Sequence, residues 1–171
     1  MSKNLIVYFS HDKENYVAGK IVKLDIGNTK VVAKKIQSII GGDTFEILPL
    51  HEYPFEYHRC TEVAKKELEN NERPKILNIV SHFEDYDNIF IGYPNWWSTM
   101  PMCMWTFLES YDFKSKHIYP FCTHEGSGLG QSVADIKKLC PQSIIHDALA
   151  IRGSQVNNSD DAIKKWLEEV L

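Results

Sequence analysis

Short apolar runs alternate with helix-like segments along this chain, and that alternation most constrains its fold. Residues 4–9 form an apolar run without polar alternation, as expected of a strand that is buried on both faces. Apolar positions then recur at helical spacing over residues 28–40, where Gly41 and Gly42 end the pattern. Because strands that alternate with helices run parallel, the pattern predicts a parallel sheet with helices on both faces.

The same reasoning extends to the whole chain and predicts five strands and five helices. The predicted strands are residues 4–9, 44–48, 88–93, 117–122 and a less regular 143–151, and the predicted helices are residues 28–40, 61–71, 102–111, 129–139 and a last one capped by Ser159. This is an α/β fold, a three-layer doubly wound sandwich. Since there is no internal repeat and no linker composition, we expect a single domain over residues 1–171.

Charge and cysteine content exclude several classes of protein. The 19 basic and 23 acidic residues leave a net charge of −4, so we expect no binding to nucleic acid. None of the four cysteines forms a Cys-x-x-Cys pair, so we expect no metal site and a reduced, cytoplasmic protein. No apolar stretch approaches the roughly 20 residues of a membrane span.

Parallel sheets of this kind bind ligands beyond the carboxyl ends of their strands, so the loops there carry the functional signal. The loop after the first strand ends in Gly27-Asn28-Thr29 at a helix start, a pattern that suits a phosphate. The alternative is an ordinary helix start capped by Asn28 or Thr29.

The loops after the third and fourth strands suit a flat ring. Trp96 and Trp97 are adjacent, and neighbours in an extended segment face opposite sides, so one should lie near the surface. There it can stack on a planar ligand, although a packed surface corner is the alternative. Residues 123–128 offer small residues and amides to a polar ring edge, and the alternative is a turn before a helix.

These loops together resemble those of flavodoxin-like FMN-binding proteins, and of a bacterial flavodoxin subfamily in particular. Classical flavodoxins place a Ser or Thr and Gly-Asn-Thr in one compact phosphate loop. In this chain residues 15–26 separate Ser10 from Gly27, and we interpret them as a hairpin-like excursion. The resemblance implies a five-stranded sheet in the order 2-1-3-4-5, with FMN between the first and third strands.

The resemblance also implies which residues bind FMN. The first loop would contribute Ser10, His11, Asn15, Tyr16, Asn28 and Thr29; the second Pro94, Asn95, Trp96 and Trp97; the third Thr123, His124, Glu125, Gly126, Ser127 and Gly128. No side-chain nucleophile is implied, and His124 and Glu125 are candidates for a proton relay. Residues 51–58, which include Tyr53 and Tyr57, are a roof over the cofactor, a partner surface or an ordinary loop.

Three functions remain open on this interpretation. The first is electron transfer through FMN to a redox partner protein. The second is an NAD(P)H-dependent oxidoreductase that reduces quinones, flavins or similar small acceptors. The third is a regulator that binds FMN without catalysis. Hydrolase and phosphate-transfer classes are disfavoured, because the chain has neither a Gly-x-Ser-x-Gly elbow nor a P-loop.

Overall fold

A computed structural model describes residues 2–171, and within that range it contains a main sheet, a separate hairpin and five α-helices. The main sheet consists of β1 (Asn4–Tyr8), β4 (Asp43–Glu46), β5 (Asn88–Pro94), β6 (His117–His124), β7 (Ile144–Ile145) and β8 (Leu149–Arg152). The hairpin consists of β2 (Glu14–Val17) and β3 (Lys20–Lys23). The helices are α1 (Asn28–Ile40), α2 (Tyr57–Glu69), α3 (Met102–Ser110), α4 (Ser132–Leu139) and α5 (Asp160–Val170).

The strands of the main sheet are parallel and lie in the order β4-β1-β5-β6-β7, with β8 also paired to β6. This confirms the predicted order and the α/β sandwich. The predicted fifth strand is split in two, because residues 146–148 leave the ladder between β7 and β8. The His146 N–H still donates to the Ile118 carbonyl at 2.9 Å, so the chain stays at the edge of β6.

Two hydrophobic clusters cover the two faces of the sheet. Alternate residues of each strand point to opposite faces, as the pleat of a strand requires. Ile6, Phe90 and Phe121 pack against α1 and α5, whereas Leu5 and Ile89 pack against α3 and α4. The apolar runs are therefore buried on both sides, which is why they lack polar alternation.

The predicted excursion of the first loop is confirmed as a hairpin. Strands β2 and β3 pair antiparallel, with Val17 opposite Lys20. Ala18 and Gly19 both adopt positive φ, 51° and 82°, as a two-residue turn of type I′ requires. The hairpin forms a sheet of its own and is not part of the main sheet.

Several helix ends differ from what the sequence suggests. Neither Asn28 nor Thr29 caps α1 through its side chain; Ser10 Oγ instead accepts the Lys30 N–H at 3.1 Å. Ser159 precedes α5 but does not cap it, since its hydroxyl donates to the Val156 carbonyl at 2.6 Å. The second predicted helix begins at residue 57 and not at residue 61, because the Glu14 carboxylate of the hairpin accepts the Tyr57 N–H.

No helix within residues 2–171 combines the length and the apolar character that crossing a membrane requires.

Candidate functional site

A cleft of about 360 Å³ lies at the carboxyl ends of β1, β5 and β6, the edge at which the sequence places a ligand. Thirteen of its lining residues were predicted: His11, Asn15, Tyr16, Asn28, Thr29, Pro94, Asn95, Trp96, Trp97, Thr123, His124, Glu125 and Ser127. Ser10, Gly126 and Gly128 were also predicted but do not line it. Glu14, Cys60, Thr61, Ala64 and Gly153 line it without having been predicted, and Tyr57 lines it as in the first of the three alternatives for residues 51–58.

One part of the cleft, the polar end, is built around the start of α1. The first-turn N–H groups of Asn28 and Thr29 have no acceptor within the helix, so they can bind an anion. Ser10 Oγ accepts the Lys30 N–H and so supports the helix start, although Ser10 itself does not line the cleft. The Thr29 and Thr123 hydroxyls are hydrogen-bonded at 2.8 Å and join the helix start to β6.

Two glycines make the polar end possible, because a Cβ would fill the space that they leave. At Gly27 a Cβ would collide with Ser10 Oγ and come within 2.7 Å of the His11 carbonyl oxygen. At Gly153 a Cβ would lie 2.5 Å from Asn28 Nδ2 and 2.7 Å from Glu125 Oε1. Glycine therefore lets three chain segments converge on the start of α1.

The other part of the cleft, the aromatic end, contains the two tryptophans. The Trp96 ring packs edge-on against Phe9 and Tyr53, with centroid distances of 5.3 and 4.9 Å. The Trp97 side chain remains 48% exposed, and its Nε1 donates to the Thr61 carbonyl of α2 at 2.9 Å. This confirms the prediction that one of the two lies near the surface.

The second and third loops are joined to one another by hydrogen bonds. The Asn95 N–H donates to the Thr123 carbonyl at 2.8 Å, and Asn95 Nδ2 donates to the Gly128 carbonyl at 2.7 Å. Trp97 and Ser98 both have positive φ, so the chain reverses tightly between Trp96 and Thr99. The two loops consequently form one wall of the cleft.

Glu125 connects three segments of the chain. Its Oε1 accepts the Ser154 N–H at 2.8 Å, and its Oε2 accepts the Ala18 N–H at the hairpin tip at 3.2 Å. Both carboxylate oxygens are therefore occupied by backbone donors. This arrangement gives Glu125 a structural role, and its role as a proton relay stays a prediction that this geometry does not favour.

His124 is held as a neutral imidazole. Its Nδ1 accepts the Gly126 N–H at 2.9 Å, which leaves the proton on Nε2. Burial, followed by the positive charge of Arg152, lowers the pKa of His124 below its ordinary value. At neutral pH the Nε2–H group can therefore donate a hydrogen bond, and the role of His124 as a proton relay stays a prediction.

His11 and Cys60 lie together beneath the aromatic end. The His11 Nε2 is 3.3 Å from the Pro54 carbonyl and 3.7 Å from Cys60 Sγ. Burial lowers the pKa of His11 and raises the pKa of Cys60 to about 12. The Cys60 side chain is therefore a thiol and not a nucleophilic thiolate.

The wall formed by α2 was not predicted as part of the site. The Glu14 carboxylate of the hairpin accepts the Tyr57 N–H at 2.8 Å, which begins α2 beside the cleft and brings Cys60 and Thr61 to its surface. The contact joins residues far apart in sequence. The one available signal was the aromatic composition of residues 51–58, from which Tyr57 reaches the cleft while Tyr53 is buried.

Comparisons with known proteins place the chain in a family. Comparison with curated proteins gives no match. Among solved structures, a presumed flavoprotein from Bacteroides eggerthii is 28% identical, with 99% of this chain and 98% of that chain covered and a TM-score of 0.79. A second presumed flavoprotein, from Bacteroides uniformis, is 25% identical over 98% of both chains, with a TM-score of 0.77.

A flavoprotein from Lactobacillus acidophilus, in complex with FMN, shares the fold at 20% identity, with 98% of this chain and 99% of that chain covered and a TM-score of 0.69. The sequence model of the flavodoxin family matches residues 20–170, which is most of the chain. The chain therefore belongs to the flavodoxin family.

Proposed function

We propose that this protein binds FMN non-covalently in the cleft and transfers electrons through it. The observation that carries the proposal is the pairing of a helix start that suits a phosphate with an aromatic end that suits a flat ring. Both lie at the switch point of the sheet, where this fold class binds its ligands, and flavodoxin is itself a known example of that rule.

The residues present fit FMN in their chemistry. The Asn28 and Thr29 N–H groups and the Asn28 side-chain amide would hold the phosphate. None of the residues that line the cleft within 2–171 is lysine or arginine, so helix and side-chain amide donors carry this role. The ring would lie between the wall of the second and third loops and α2. Bound FMN supplies the redox chemistry, and the protein orients the cofactor and limits its contact with water.

The size of the cleft favours an electron carrier over a reductase with two ligands. A volume of about 360 Å³ is near the lower limit of ligand pockets, which run from roughly 300 to 1,000 Å³. Such a space suits one flavin and leaves little room for a nicotinamide beside it. We therefore propose a redox protein as the partner, with exchange through the exposed Trp97 side of the cleft.

Titration of the apoprotein with FMN and with riboflavin tests the proposal. We expect FMN to bind with a perturbed visible spectrum, and at least tenfold tighter than riboflavin, because charge-assisted hydrogen bonds to the phosphate contribute about 1.5–3 kcal/mol each. A protein that takes up neither flavin would refute the cofactor. Sustained NADPH oxidation by the loaded protein with a quinone would instead identify a reductase.

A further inference from the structure

The hairpin crosses the cleft from its aromatic end to its polar end. At the aromatic end, Glu14 accepts the Tyr57 N–H at 2.8 Å, and the Tyr16 and Tyr57 rings are 6.1 Å apart. At the other end, the Ala18 N–H donates to Glu125 Oε2 at 3.2 Å. The hairpin is thus attached to α2 on one side of the cleft and to the third loop on the other.

The second attachment lies beside the start of α1. Glu125 Oε1 accepts the Ser154 N–H, and Gly153 is packed so closely that a Cβ there would collide with both Asn28 Nδ2 and Glu125 Oε1. Glu125 and Gly153 therefore line the same end of the cleft as Asn28, and the hairpin tip is hydrogen-bonded to Glu125 at its rim. This is the end to which the proposed function assigns the phosphate.

We propose that the hydrogen bond between Ala18 and Glu125, the tip contact, closes the phosphate end of the cleft and makes the site selective for FMN over FAD. The inference rests on the proposed function. In FAD, the phosphate that ends the FMN molecule is bonded to a second phosphate and an adenosine. These groups must leave the cleft at the phosphate end, where the closed tip obstructs them.

The tip contact can be weakened and strengthened separately from the flavin contacts. It is a single exposed hydrogen bond from a two-residue turn. An aspartate at position 125 keeps the charge but is too short to reach both Ala18 and Ser154. Asparagine is favoured over alanine at the first position of a type I′ turn, so Ala18→Asn should hold the hairpin tip more firmly in its closed geometry.

The experiment measures the dissociation constants of FMN and FAD for the wild-type apoprotein and for the Glu125→Asp, Glu125→Gln and Ala18→Asn variants. We expect wild type to bind FAD at least tenfold more weakly than FMN. Both Glu125 variants should reduce that ratio at least threefold, and Ala18→Asn should preserve or increase it. Equal ratios in all four proteins would overturn the proposal.

The aspartate variant separates closure from simple electrostatics. If Glu125 acted only through its charge, Glu125→Asp would behave as wild type. Glu125→Gln would then favour the doubly charged phosphate of FMN more than FAD and would raise the ratio. Under the proposal both variants lower it. A ratio that stays constant in the aspartate variant and rises in the glutamine variant therefore overturns the tip contact.

Trypsin provides a readout that does not depend on relative affinity. Lys20 follows the hairpin turn directly, so cleavage after it reports how often the tip is free. Cleavage should be faster in Glu125→Asp than in wild type, and FMN should slow it in wild type. Cleavage that neither the variant nor FMN changes would refute closure, whereas failure of FMN to bind at all would refute the proposed function instead.

Discussion

Alanine at position 153 should weaken cofactor binding without unfolding the protein. The added methyl group would lie 2.5 Å from Asn28 Nδ2 and 2.7 Å from Glu125 Oε1, whereas ordinary contacts begin near 3.4 Å. Each atom must then move by about 1 Å. Both displaced atoms are at the ends of side chains, and Gly153 does not have the positive φ that alanine avoids. The protein can therefore accommodate the methyl group at a cost of about 1 kcal/mol.

Asn28 Nδ2 is a donor at the phosphate end, and a displacement of about 1 Å is larger than a hydrogen bond from it to the phosphate tolerates. Loss of one charge-assisted hydrogen bond costs about 1.5–3 kcal/mol, which corresponds to a tenfold to roughly hundredfold weaker affinity for FMN. Fluorescence titration of the apoprotein measures the affinity, and urea unfolding measures the stability. Riboflavin should bind the variant nearly as well as it binds wild type, because it has no phosphate and so loses no phosphate contact.

Gly41→Ala is the matched control. Gly41 has a φ of 68° and open space around its Cβ position, at the far end of α1 from the cleft. Alanine there should lower the free energy of unfolding by about 1–3 kcal/mol through backbone strain and leave FMN affinity unchanged. If Gly153→Ala binds FMN as tightly as this control, Asn28 and Glu125 do not lie at the phosphate, and the proposed orientation of the cofactor is wrong.

Three further predictions concern single contacts. Thr29→Val and Thr123→Val should each lower the free energy of unfolding by about 1–3 kcal/mol, and the double variant should cost less than their sum, because each single change leaves one buried hydroxyl without its partner. Trp97→Phe should cost about 1 kcal/mol through its lost bond to Thr61 and should bind FMN better than Trp97→Ala, as flavin titration would show. Burial holds the pKa of His11 below its ordinary 6.5, so as the pH falls the unfolded chain takes up a proton before the folded protein does. The urea midpoint should therefore fall as the pH drops below 6.5. His11→Gln should reduce that pH dependence.

The fold and two of the three loops could be predicted because their signals are local. A strand buried on both faces shows its apolar run directly, and Trp96 beside Trp97 implies by geometry that one is exposed. Helix ends were predicted less well because their hydrogen-bond partners come from elsewhere in the chain. Ser10 supplies the oxygen at the start of α1, and Glu14 supplies the oxygen at the start of α2, across 43 positions of sequence.

The hairpin explains how a phosphate loop can be interrupted and still assemble. Asn15 Nδ2 donates to the His11 and Lys13 carbonyls, and the Leu24 N–H donates to the Lys13 carbonyl, so the two ends of the insertion are held together. Gly27, which lacks a Cβ, then packs directly on Ser10 and His11. Because the insertion begins and ends at nearly the same point, it adds little loop-closure entropy and leaves the start of α1 intact. An insertion that leaves the start of α1 intact can make further contacts across the cleft. Glu14 and Ala18 make two such contacts.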